Sequence, residues 1–438
     1  MMVEWPRRVC LRNDNHAGRF SVRDSWRNDY IEKARRLNIG RKNDKTEHVM
    51  ASREQRFLGR KIPGALQVTK AEGSFIFDDR GRKYIDFVMG WCVGNFGWGN
   101  EVLINASAGF DGPDYVFPGH SYGPWTELAE LLASISPGKL MKSFRATGGS
   151  EAVDIALQAA MVHTGRQKFL SLEGSYHGNA IGGLSVADSK NRQQCRNLLP
   201  HCYKVELPLN NEALERIDKF LKTEEFAAFI MEPISVNLGV LIPEMEFMTE
   251  LAKLCRRYGT LLIMDEVATG FGRTGTLFAS ERYHLEPDIM CIAKAVTGGL
   301  GGLGATITTA AVAKSMEENG SYYSTYGWHP RSVHVAIATI HYVTTHQKQL
   351  LGKVDEMSEY FRSRLSQMRF KGVANHSIAG MAIGLELDTD GYAYDIQAKC
   401  QRNGLLITAE GSTLLLLPSL NIDQAIAKQG LDILERCI

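Results

Sequence analysis

The chain has little of what would assign its class at a glance. It has almost no net charge: 50 Lys and Arg offset 49 Asp and Glu over 438 residues. A balance of +1 gives no electrostatic reason to expect nucleic acid or an anionic membrane as a partner. No stretch approaches the roughly 18 apolar residues of a membrane span. Eight cysteines (Cys10, Cys92, Cys195, Cys202, Cys255, Cys291, Cys400 and Cys437) are scattered without a C-x-x-C pair. In a chain this long that reads as reduced and intracellular, so a cytoplasmic location is expected, and no metal centre. The stretch from Met1 to about Leu58 has no apolar periodicity and no apolar h-region, so no secretory signal is expected there, and its acidic residues argue against a transit peptide. Residues 1–58 read as a solvated, partly flexible arm with a short helix over Asp29 to Leu37; packing on a partner subunit is the alternative. The rest is ordinary globular composition, long enough for one large core and a smaller one.

What the chain does have is concentrated between Leu261 and Thr309. Leu261 to Met264 is a continuous apolar run, the pattern of a strand buried on both faces, and Asp265 stands where it stops. A second short apolar run, Asp288 to Ala293, ends on Lys294. Glycines follow at 298, 299, 301, 302 and 304, and Ala305 to Thr309 reads as another strand. Open parallel sheets bind ligands at the carboxyl ends of their strands. A lysine amine there can hold a carbonyl cofactor as a Schiff base, and a buried carboxylate can keep a pyridine nitrogen protonated, which is pyridoxal phosphate chemistry. The pair alone leaves the chemistry open, because strand-end lysines are mostly solvated and strand-end aspartates often cap helices or bind magnesium.

Other segments supply compatible parts. Ala146 to Ala152, ATGGSEA, precedes a helix running to about His163, with Gly165 past its end. Free N–H groups and the dipole at a helix start suit a phosphate. A strand over Gln167 to Leu172 leads into Gly174-Ser-Tyr-His-Gly178, where His177 is expected to be a structural turn residue. Ala227 to Met231 is a strand ending on Glu232, which places that carboxyl in the same crevice. A helix over Met245 to Tyr258 stops at Gly259. Gln67 to Phe87 alternates around a turn at Asp79 to Arg82, hence a hairpin. Tyr122 precedes a helix entered at Gly123-Pro124, and the chain is helical from Arg331 to about Arg369. Strand-like segments then span Met381 to Leu387 and Leu405 to Ile407.

DEVATGFGRTG, a gap, then AKAVTGG resembles the class III (ω-) aminotransferases of pyridoxal-phosphate fold type I. The resemblance implies an α/β fold, aspartate-aminotransferase-like. A large domain over 112–330 would carry a mostly parallel sheet flanked by helices, and a smaller α+β domain would be built from 59–111 and 331–438. It makes Lys294 and Asp265 the catalytic pair. Gly148, Gly149 and Ser150 would cradle the phosphate, Tyr176 and Val267 would face the two sides of the pyridine ring, and Glu232 would lie close to the cofactor. Arg273 would fix its loop. Thr325, in STYGWHP, would reach the phosphate of a neighbouring subunit, so that a homodimer shares its active sites. The function implied is a transaminase moving an amino group between an amine donor and a keto acid or aldehyde by a ping-pong cycle. Aminomutases, decarboxylases, racemases and phospholyases share the scaffold.

Substrate residues implied by the same resemblance are Trp91, Tyr122 and Leu415. The chain departs from the family pattern at Gly148, where serine is usual, and at Ala268, where many relatives have glutamine. Leu415, in LLLLPSL, stands where many relatives carry an arginine that grips a carboxylate. Leucine cannot make that bidentate clamp. A donor whose carboxylate, if any, is remote from the reacting amine is therefore expected.

Overall fold

A computed structural model describes Phe57, Gly59 and residues 65–438 except 372–374. The arm expected over 1–58, with its short helix, lies outside these residues apart from Phe57. The chain divides into two compact units, residues 1–66 and 67–438, and the sheets lie in the second. Among the described residues no helix is long and apolar enough to cross a membrane.

The alternating stretch after Gln67 forms an antiparallel meander and not the single hairpin expected: β1 (Val68–Glu72), β2 (Phe75–Asp78) and β3 (Lys83–Asp86). Asp78 closes the second turn, its Oδ1 accepting from the N–H groups of Arg80 and Arg82 at 3.0 and 2.8 Å. At the end of β3 the buried Asp86 accepts from the N–H groups of Val88 and Met89 and from the indole of Trp98, at 2.8, 2.9 and 2.9 Å. Those bonds hold a loop in which Met89, Trp91 and Cys92 take φ of 46°, 58° and 66°. Side chains tolerate this left-handed region only where their surroundings impose it. Two helices follow, α1 (Glu101–Ala108), capped by Asn100, and α2 (Gly123–Ile135), with Pro124 in its first turn.

The central sheet takes β4 (Leu140–Ala146), β5 (Lys168–Leu172), β6 (Cys202–Val205), β7 (Phe226–Met231), β8 (Leu261–Asp265), β9 (Ile289–Ile292) and β10 (Gly304–Thr309) in the order β4-β10-β9-β8-β7-β5-β6. From β9 to β6 all neighbours are parallel, and β10 runs antiparallel to both of its neighbours. Strands β7, β8 and β9 are buried at every position, which is why their sequences run apolar without alternation. Period-two geometry still sorts their side chains. Ala228 and Ile230 pack with Ile155, Ala156 and Val312, from α3 (Gly149–Thr164) and its neighbour on that face. Phe229 and Met231 pack on the other face with Ile217 of α4 (Asn211–Leu221) and with Phe247 and Leu251 of α5 (Met245–Tyr258). The neighbour of α3 is α6 (Ala310–Asn319), which carries Val312. Helices α3 and α5 both stop on glycines in the left-handed conformation, Gly165 at φ 70° and Gly259 at φ 61°.

A long helix, α7 (Pro330–Gln367), leads to the last part of the chain. There β11 (Asn375–Ala379) and β12 (Ala382–Glu386) are followed by α8 (Asp390–Arg402), β13 (Leu405–Leu406), β14 (Thr408–Glu410), β15 (Thr413–Leu416) and α9 (Gln424–Cys437). Antiparallel pairing sets the order β11-β12-β15-β14. Strand β13 instead joins β3 in parallel, so that segments from both ends of this unit share one sheet. The fold is α/β, with a mixed, mostly parallel sheet between helices and smaller separate sheets beside it.

Candidate active site

Asp265 is the last residue of β8, and Lys294 follows the end of the adjacent β9. Lys294 opens a short 3-10 turn at φ 49°, a conformation costly for a lysine and therefore imposed by its surroundings. Asp265 is almost fully buried, and both carboxylate oxygens have donors. Oδ1 accepts from the N–H of Val267 at 3.1 Å, and Oδ2 pairs with Nδ1 of His177 at 2.7 Å. His177 was expected to be no more than a structural turn residue. Instead it reaches from the loop after β5 across the end of β7 to orient Asp265. Its Nε2 is buried without a partner. The one cue in the sequence was its place after a strand end on the same side of the sheet.

The first turn of α3 closes one wall. Gly148 precedes the helix in an extended conformation with no side-chain cap, so the amides of the first turn are left for a ligand. Backbone approach is tight here. A Cβ on Gly149 would stand 2.9 Å from Cγ1 of Val267, and one on Gly304 would stand 2.5 Å from the carbonyl oxygen of Gly148. Glycine at these two positions lets β10 and the loop after β8 close against the helix start.

Gly148, Gly149, Ser150, Tyr176, Glu232, Asp265, Val267 and Lys294 all line one cavity of about 300 Å³, together with His177 and Asn237. Ala268 lines it too. Glu232, where β7 ends, is buried, and its Oε2 accepts no hydrogen bond. Burial pushes its carboxyl up to about 8, with nearby Asp265 adding to the rise, while Lys294 and the N–H groups of Asn237 and Val236 pull it back.

The remaining expected site residues are not brought to this cavity. Trp91 is half-buried against the apolar cluster that also holds Cys92, Val236 and Val240. Leu415 is fully buried in that same cluster, on β15 opposite Gly384 of β12. Tyr122 precedes α2, half-buried, with its ring edge-on to Trp125 at 5.6 Å. Thr325 is exposed, beside an outer group of aromatic rings: Tyr115 against Tyr326 at 5.8 Å and Phe117 against Tyr323 at 6.4 Å. Arg273 lies fully buried away from the cavity and fixes its loop. It donates to the carbonyls of Met381 (2.9 Å) and Pro418 (2.6 Å) and to Oδ1 of Asn95 (2.6 Å).

A lysine amine, a carboxylate oriented by two donors and an uncapped helix start around one cavity fit a phosphorylated pyridine carbaldehyde. Each would meet a different part of such a molecule: the carbonyl, the ring nitrogen and the phosphate.

The sequence profile of the aminotransferase class-III family matches residues 59–438. An acetylornithine aminotransferase of Methanosarcina mazei is 33% identical over 374 residues, 85% of this chain and 91% of the relative. Among solved structures, an amine transaminase from an uncultivated Pseudomonas species in its PLP-bound form is 27% identical. It superposes with a TM-score of 0.78 over 87% of this chain and 98% of that one. The ornithine aminotransferase of Toxoplasma gondii is 20% identical and superposes with a TM-score of 0.84 over 92% and 97% of the two chains, a likeness of fold.

Proposed function

Since the chain belongs to the aminotransferase class-III family, whose cofactor is pyridoxal 5′-phosphate, we propose that Lys294, Asp265 and the first turn of α3 hold and work that cofactor. When bound, it supplies an electron sink for the pair of electrons left as a proton leaves the amine-bearing carbon of the donor. Lys294 anchors it through Nζ at rest. With the cofactor and a donor amine bound, a free Nζ of Lys294 would serve as the base that takes the proton from the donor carbon and as the acid that gives it back. Asp265 holds a proton at the ring nitrogen, and His177 with the N–H of Val267 keeps the carboxylate aimed. Amides of Gly149 and Ser150 would hold the phosphate, and Tyr176 and Val267, which line the same cavity, would flank the ring. The observation that carries this reading is the opening of Asp265, Lys294 and the α3 start onto one cavity. Borohydride reduction of the holoenzyme followed by peptide mapping should recover the cofactor on Lys294. Recovery on a different lysine would sink the assignment.

The partners in this reading are a small-molecule amine donor and a carbonyl acceptor, met in the cytoplasm. The working unit is a homodimer in which Thr325 serves the neighbour's phosphate. Its support is the exposed aromatic group around Thr325, a kind of surface that water covers poorly. A division into a small domain (59–111 and 331–438) and a large one (112–330) is supported by the β3–β13 pairing and by a central sheet contained within 140–309. Among the described residues no arginine lines the cavity, so the carboxylate of a simple α-amino acid goes unclamped and such amino acids are poor donors. Ordinary efficiency with glutamate or alanine in half-reactions would contradict this.

A further inference from the structure

Arg273 fixes its loop, but its charge goes unanswered. The guanidinium is fully buried, and every group it donates to is neutral: the carbonyls of Met381 and Pro418 from Nη1, and Oδ1 of Asn95 from Nη2. Among the described residues no carboxylate faces it, and Nε is buried without a hydrogen-bond partner. A buried cation without an anion is costly, and so is a buried donor without an acceptor. The one ionisable group that meets the guanidinium is the thiol of Cys92. Cys92 is itself 1% exposed, in the loop after β3, where its φ is 66°. Other buried thiols stand in the opposite field. Burial pushes Cys255 and Cys291 up, and the charge beside each is an acid, Asp288 and Asp265 respectively. The loop also ties Cys92 to the active site. Val93, the next residue, lines the cavity, and so does Ala268, which belongs to the same apolar cluster as Cys92.

We propose that Cys92 is a redox modification site: hydrogen peroxide oxidises its sulfur to a sulfenic acid, whose oxygen accepts the hydrogen bond that Nε of Arg273 has to give. The sulfur attacks one peroxide oxygen. An S–O bond forms, the O–O bond breaks, and the leaving hydroxide takes the thiol proton and departs as water. Sulfur is oxidised by a pair of electrons, and the peroxide is reduced by the same pair. The guanidinium stabilises the negative charge that sulfur and the new oxygen carry on the way. The added oxygen enters a packed cluster and shifts the wall at Val93, so the modification slows the half-reaction, and a thiol reductant reverses it. The site itself is independent of the transaminase reading; only its effect on rate rests on that reading.

The test exposes the holoenzyme to a stoichiometric amount of hydrogen peroxide, quenches with urea and dimedone together, and maps the dimedone adducts by mass spectrometry. Cys92 should be labelled faster than the exposed Cys195 by about tenfold to a hundredfold, the worth of one charge-assisted hydrogen bond. Half-buried Cys202, with Lys204 and Arg192 nearby, is the competing thiol. Arg273→Lys keeps the charge and loses Nε, and labelling at Cys92 should fall in it by a similar factor. Wild type should lose its half-reaction rate in step with the label and regain it with dithiothreitol, whereas Cys92→Ser should keep its rate under the same peroxide. Adducts confined to Cys195, Cys202 or another thiol would overturn the proposal, and so would undiminished labelling in Arg273→Lys. If Arg273→Lys fails to fold, the order of labelling in the wild type decides alone. A rate untouched by the label, or lost equally in Cys92→Ser, would overturn the effect on the active site. If no amine consumes the cofactor's absorption even before peroxide is added, the transaminase reading falls and the labelling result stands.

Discussion

Asp265 and Lys294 sit at the ends of adjacent strands, but the contacts around each differ in kind. Lys294 is held by backbone strain at φ 49°, Asp265 by hydrogen bonds from His177 and Val267. Removing the negative charge should hurt more than removing its orientation. Asp265→Asn is expected to retain the cofactor and lose about a thousandfold or more in the half-reaction rate, since charge stabilisation of the developing carbanion is lost outright. In His177→Phe one hydrogen bond to a charged group disappears, worth about 1.5–3 kcal/mol, or about tenfold to a hundredfold in rate. Stopped-flow half-reactions on both variants check the order, and equal losses would mean that His177 does more than orient. The carboxylate was legible in the sequence because an apolar run ends on it. His177 was not, because its partner lies 88 residues away and meets it only through the strand order.

At the scale of elements, close approach replaces side-chain chemistry. Helix α9 lies against the meander, and a Cβ on Gly430 would stand 2.3 Å from Cζ of the buried Phe87. Gly430→Ala should therefore lower stability by about 1–3 kcal/mol through overpacking, read as a reduced midpoint in urea unfolding. On α3, Gly149→Ala pushes a methyl into Val267 and should loosen the cofactor without much change in global stability. Equilibrium dialysis of pyridoxal 5′-phosphate against the variant reads this directly, and unaltered retention would place the phosphate elsewhere. Helix and strand positions were largely readable: apolar runs marked β7, β8 and β9, and glycines closed α3 and α5. The third strand of the meander and the reversed direction of β10 were not, since alternation fixes neither the number of strands nor their sense.

The whole molecule carries buried carboxyls whose charge is costly. Burial raises Asp86, Glu232 and Glu266, and for Glu232 the value reaches about 8 from an ordinary 4.5. A carboxyl whose folded pKa exceeds its unfolded one adds stability that is complete below the unfolded value and is lost as pH climbs through the folded one. Unfolding free energy of the cofactor-free protein should thus decline between about pH 5 and about pH 8, and Glu232→Gln should flatten the decline. Urea unfolding at a series of pH values measures both curves. On the outer surface, Tyr326 is 62% exposed beside Tyr115 and Thr325. Tyr326→Asp should shift the proposed dimer toward monomer in sedimentation and lower cofactor retention with it, because a charge is costly to bury in an interface.

By itself the sequence determined which segments would be buried strands, where their ends would fall, and that a lysine, a carboxylate and a glycine-rich helix start would share the ligand side of an α/β sheet. Those are local facts: a run of apolar residues stops at one named position, and a glycine frees one helix end. Tertiary structure alone decided which strand ends became neighbours. Strand order joined His177 to Asp265, left Oε2 of Glu232 open on the cavity wall, and turned Leu415 and Trp91 into the apolar cluster beside it. Such pairings depend on how sheets are ordered and layered, and hydrophobic periodicity along a chain carries no record of that order.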